Sequence, residues 1–233
     1  MIDIIKKVKA ISVWIFIVPF VAINTCLIII THFHGLFPVP ESIIHWTFPY
    51  VDGGASISRT VRPYPTWLIF KPAMFLTSFL LIKYWIYNAE IIKLCNVNNK
   101  NINKFLYFGI ASAVALTIHS IFLGIKFDND FYKLFRRIIM LLFIIFEITA
   151  QAYLVKTLYS FKDKLDKYIN RIYLKGKIIL VITLIIVGII SVPIISWPGD
   201  KFKFVKHALE WDYFLGVIIF YLLTFLMWKN KSK

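Results

Sequence analysis

Cysteine is almost missing from this chain of 233 residues: Cys26 and Cys95 are the only two. Two thiols supply neither a disulfide framework nor the thiolate set of a structural metal site. Enzyme motifs are missing too. There is no His-Glu-x-x-His, no phosphate loop, no Gly-x-Ser-x-Gly elbow and no dinucleotide fingerprint. His32, His34 and His45 lack a spaced partner set and read as markers of a membrane interface rather than as a metal site. A nucleophile at Ser56 or Ser58 with His207 as base has no motif behind it. No repeat or low-complexity tract stands out, and no polar stretch is long enough for a separate soluble domain. No catalytic residue, metal or cofactor is therefore assigned.

What the chain has is apolar length. Hydrophobic residues make up 59% of it and aromatic residues 18%, with a mean hydropathy of +0.74, far above a soluble domain. A bilayer core needs about 20 helical residues to cross. Six runs meet that length, near 10–31, 67–87, 104–124, 137–158, 177–197 and 211–228. Helices satisfy every backbone amide internally, as hydrocarbon demands. The expectation is an all-α polytopic bundle of six transmembrane helices, one domain over 1–233. The start Met1, Ile2, Asp3, Ile4, Ile5, Lys6, Lys7 imitates a signal peptide, but the apolar run behind it is too long and ends without a small-residue cleavage site. It reads as a retained helix.

Lys and Arg total 27 against 12 Asp and Glu, a formal charge of +15. In a soluble chain this would point to nucleic acid. Here the cations cluster at span edges, where they set topology and meet anionic headgroups, so nucleic acid is set aside. With the N-terminus in the cytoplasm, fifteen cations fall on that side and nine on the other, with Lys71, Lys83 and Lys156 inside spans. Both termini are accordingly placed inside. The expected location is the plasma (inner) membrane, with membrane lipids as partners and room for a membrane-protein partner.

The largest connection, residues 32–66, then lies outside. Pro38, Pro40, Pro49, Pro63 and Pro65 impose turns and extended backbone on it. Gly53 and Gly54 allow the backbone to expose N–H groups, and Asp52, Arg59 and Arg62 stand beside them. Two readings stay open: a headgroup site, or a rigid cap in which Asp52 bonds its own turn. The inner connection at 161–177 reads as a solvated linker or as a short helix on the membrane surface.

Charged groups inside spans need compensation, since each costs about 2.5 to 3.5 kcal/mol at the bilayer centre. Glu147 and Gln151, one turn apart, share a face of the fourth span. His119 lies toward the outer end of the third, and Lys71 enters the second from outside, within expected reach of Glu147. Lys83 and Lys156 can snorkel. His207 and Glu210 are three apart and share a face of the sixth. His119, Glu147, His207, Glu210 and Lys71, with Asp52, Arg59 and Arg62, would make a cavity open to the outer leaflet. The competing reading has Glu147 lock helices together by hydrogen bonds.

The stretch Phe48, Pro49, Tyr50, Val51, Asp52, Gly53, Gly54, Ala55, Ser56, Ile57, Ser58, leading to a span that begins near Trp67, resembles the damage-regulated autophagy modulator (DRAM) family and its Frag and Sfk relatives. Lys206, His207, Ala208, Leu209, Glu210, Trp211 looks like that family's Glu-aromatic approach to its last helix. Val51 precedes Asp52 where the family commonly has serine, and Arg59 and Arg62 ally the chain with relatives that remodel GPI anchors. The resemblance implies a multi-pass protein of lipid organisation and hands over no catalytic residue. The leading expectation is a non-catalytic lipid-handling or scaffolding protein. Its alternatives are a lipid-modifying enzyme, with His119 or His207 as base and Glu147 or Glu210 as orienting acid, and a small proton-coupled transporter.

Overall fold

The computed structural model of the protein describes residues 1–96, 99–125, 129–196 and 202–229. Lys126, Lys201, Lys231 and Lys233, four of the cations that set the expected topology, lie outside the described residues, as does residue 197, the expected end of the fifth span. Six long helices carry the chain: α1 (Ile2–His32), α3 (Trp67–Cys95), α4 (Asn101–Phe122), α5 (Asp130–Ser160), α6 (Arg171–Ser196) and α7 (Lys203–Met227). A one-turn helix, α2 (Ile57–Val61), precedes α3. All six long helices are long and apolar enough to cross a membrane, with span hydropathies from 1.3 to 2.7. The protein is an integral, multi-pass, all-helical membrane protein.

The six helices form a ring in chain order. α1 packs on α3, α3 on α4, α4 on α5, α5 on α6 and α6 on α7, and α7 closes back on α1. The seam between α5 and α6 is the slightest of these contacts. α6 is also the most apolar span and the least covered, with 17% of its central window buried against 33–39% for the others. We call the end that carries residues 33–66 the loop end, and the end that carries Met1 and Trp228 the terminal end.

The terminal half is filled. Tyr84, Trp85, Phe105, Phe220, Tyr221 and Trp228 are each buried almost completely there. Gly109 of α4 exists for this packing, because a Cβ at that position would sit 2.4 Å from the Trp85 ring. Small residues at such crossings let helix axes approach. The connection at 161–170 is neither a surface helix nor a loose linker. It runs as turns, buries Leu165 and Ile169 under the bundle, and pairs Ile169 with Trp228 through an antiparallel bridge. Asn170 N–H donates to Met227 O at 2.8 Å and Lys229 N–H to Tyr168 O at 2.8 Å. Lys9 Nζ also donates to Trp228 O at 2.9 Å, so the end of α7 is tied to α1.

Candidate functional site

The loop end is built around a turn that α1 and α7 hold between them. Gly53 supplies the positive φ (61°) the turn requires, and a Cβ there would fall 1.8 Å from Phe204 O. Asp52 accepts from Thr47 Oγ1, from Phe48 N–H at 2.7 Å and from Gly54 N–H at 2.8 Å. Desolvation alone would raise its pKa; the three hydrogen bonds outweigh it and hold the carboxyl below its ordinary value. Asp52 thus closes its own turn and is not offered to a ligand. Trp211 Nε1 donates to Ala55 O at 2.8 Å, Tyr50 stands edge-on to Trp211 with centroids 5.0 Å apart, and Tyr50 OH bonds Asn24 of α1. His207 Nδ1 lies 2.9 Å from Gly53 O, and that pairing requires the ring nitrogen to carry the proton.

Next along the chain, Ser56 caps α2 by accepting from Arg59 N–H at 3.2 Å. Glu210 lies against the backbone amides of Ile57 and Ser58. His207 and Glu210 share α7, as their spacing implied, but each is engaged by a different piece of the loop. Arg59 is exposed. Arg62 donates from Nη2 to Ser58 Oγ at 2.6 Å.

Beneath this loop the ring of helices encloses a cavity of about 580 Å³ that takes lining from all six long helices and from α2. Its wall is apolar, and its polar side chains include Ser58, His119, Lys206 and Glu210 toward the loop end. Most of the lining is sheltered. Those lining residues that remain exposed, Leu141, Ile145, Ile185, Ile189 and Val192, all belong to α5 and α6. The cavity therefore opens sideways, through the loosest seam of the ring.

Two arginines and a histidine stand close together at the loop end of α4, and of the three His119 lines the cavity. Arg62 and Arg136 interact electrostatically, and both act on His119. Partial burial, followed by the charge of Arg136, holds Arg62 below its ordinary pKa. Arg136 lies over the ring of Tyr132, 5.8 Å from its centroid, and Tyr132 OH donates to Phe122 O at 2.6 Å. His119 Nδ1 and Arg136 Nε are both buried and lack a hydrogen-bond partner. Arg136 escapes sequence reasoning, because beside Arg137 at the edge of a span it reads as a topology charge. Its proximity to Arg62 and His119 arises only when α4, α5 and the α2 segment converge.

Two expected groupings do not form. Lys71 does not reach Glu147; its Nζ donates to Ile121 O at 3.2 Å, at the end of α4, and lies over the Trp67 ring. A long side chain near a helix end finds an unsatisfied carbonyl closer than a buried acid. Nor does Glu147 join the outer cavity. It is 1% exposed and accepts from Ser112 Oγ of α4 at 2.7 Å, from Gln151 Nε2 at 3.0 Å and from Tyr221 OH of α7. Glu147 and Gln151 lock three helices together below the cavity.

Lys177 corrects a further expectation. It reads as a topology cation in the inner connection, whereas the structure puts it within α6 with no exposure at all. Its Nζ donates to Thr224 Oγ1 at 2.8 Å, which also bonds Tyr84 OH at 3.0 Å, and it lies 3.9 Å from the Phe220 ring centroid. A lysine at the edge of an apolar run carries no mark that separates snorkelling from burial. Elsewhere, His32 and His34 pair with Thr31, and the described residues hold no group of three metal-ligating side chains.

No family model matches the chain, and neither a curated protein nor a solved structure is similar enough to match it.

Proposed function

We propose that this membrane protein is a non-catalytic lipid-handling protein, which takes the apolar chains of a membrane amphiphile into the central cavity sideways between α5 and α6. One observation carries the reading: the exposed part of the cavity wall is confined to those two helices. A pocket for an aqueous solute opens to water, whereas an opening lined by Ile145, Ile185 and Ile189 on membrane-spanning helices faces acyl chains. The engagement of His207 by Gly53 O and of Glu210 by two backbone amides supports a structural use of both groups. The reading agrees with the lipid-organising role that a resemblance to DRAM, Frag and Sfk proteins implies.

The test fills the cavity. Ile144→Trp places an indole on a half-buried position of its wall. Native mass spectrometry of gently solubilised protein should find lipid retained by the wild type and lost from the variant, with both eluting as the same monodisperse species. Equal retention would remove the cavity as the lipid site.

A further inference from the structure

Among the described residues, the two arginines beside His119 have no acidic partner. Arg62 and Arg136 repel one another, and no Asp or Glu among the described residues lies within ion-pair distance of either. Glu210, the one acidic residue in the described lining, is already engaged by the amides of Ile57 and Ser58. Meanwhile Arg136 Nε and His119 Nδ1, both buried, go without partners, and a buried polar atom left unsatisfied is costly. Such an arrangement suits an anion. We propose that Arg62, Arg136 and His119 form an anion site that holds the phosphate of a phosphate-bearing lipid whose chains lie in the cavity. Ser58 Oγ steers one arm of the Arg62 guanidinium, and planar guanidinium forks suit phosphate oxygens better than an ammonium does. Three donors converging from α4, α5 and the α2 segment match a tetrahedral group with several free oxygens. His119 and Ser58, the partner of Arg62, both line the cavity, so the site adjoins an apolar wall that matches the chains.

This inference rests on the cavity reading, and the experiment separates the two. Purified protein in a neutral detergent is offered phosphatidic acid, the diacylglycerol of identical chains, or inorganic phosphate, and retention is read by native mass spectrometry. Wild type is expected to hold phosphatidic acid about tenfold or more tightly than diacylglycerol, the scale of one lost charge-assisted contact. Arg136→Gln and Arg62→Gln should each erase that preference and leave diacylglycerol retention unchanged. Arg59→Gln, which removes the same charge from an equally exposed neighbour that does not act on His119, should keep it and serves as the folding and net-charge control. Equal retention of the two lipids by wild type would overturn the anion site and leave the cavity standing. Retention of neither would overturn the cavity reading and this one with it. Displacement of phosphatidic acid by inorganic phosphate at matching concentration would assign the site to a free anion and overturn the lipid.

Discussion

At the terminal end the bundle is filled with large aromatic side chains, whereas at the loop end the same six helices enclose a cavity of about 580 Å³. The terminal half spends hydrogen bonds on locking helices to one another: Ser112 and Tyr221 both donate to Glu147, and Lys177 and Tyr84 meet at Thr224. The loop half spends them on fixing a lid, through Asp52, Gly53, Ala55 and the α7 residues His207 and Trp211. In lipid there is little hydrophobic drive between helices, so specific packing and hydrogen bonds must supply cohesion. A hollow half can be tolerated because the other half is dense. The lesson is a division of labour along the membrane normal, with rigidity at one end and capacity at the other.

The contrast breaks most readily at Glu147. Glu147→Ala leaves three donors without their acceptor, so the unfolding free energy in detergent should fall by about 2 to 4 kcal/mol, with less lost in Glu147→Gln. A variant that unfolds with the wild type would show that the terminal half is not the anchor. Next comes a paired truncation. Leu154, with no exposure in the filled half, should cost about 3 kcal/mol on change to alanine, against about 1 kcal/mol for Ile144 on the cavity wall, where no new void opens in a packed region. Equal costs in matched denaturation curves would erase the distinction between the halves.

The smallest effect belongs to the lid. Because the folded pKa of Asp52 lies below its unfolded value near 3.8, its contribution is fully present above that unfolded value and is lost as pH falls through the depressed folded one. Hydrogen exchange at the Gly54 amide should therefore quicken only in acid below the ordinary carboxylate range. In Asp52→Asn that acid-dependent step should vanish; if it persists, another group closes the turn.

Much of the fold was legible because membrane helices announce themselves by length: each of the six apolar runs lies largely within one of the six long helices. The shared face of Glu147 and Gln151 was legible from their spacing. What they face was not, since Ser112 and Tyr221 lie 35 and 74 positions away. The same limit hid Lys177, whose partner Thr224 is 47 positions on, and Arg136, whose neighbours come from two other segments. The short helix α2 was legible only as a loop, because five residues between Ser56 and Arg62 are too few for any periodicity to emerge. Spacing reports neighbours on one helix; a cavity is made by residues on many.

Closure of the ring by α7 on α1 carries a consequence for biosynthesis. As the chain leaves the ribosome, α1 has α3 beside it but keeps its other flank bare until the last span inserts. Until then Glu147 waits without Tyr221, the amides of Ile57 and Ser58 wait without Glu210, and Trp228 is not there to receive Lys9. Without α7 the helices form an open crescent in which these three contacts are still unmade. A variant without α7 would turn the bare flanks of α1 and α6 toward the bilayer, the kind of surface a membrane quality-control protease is built to find.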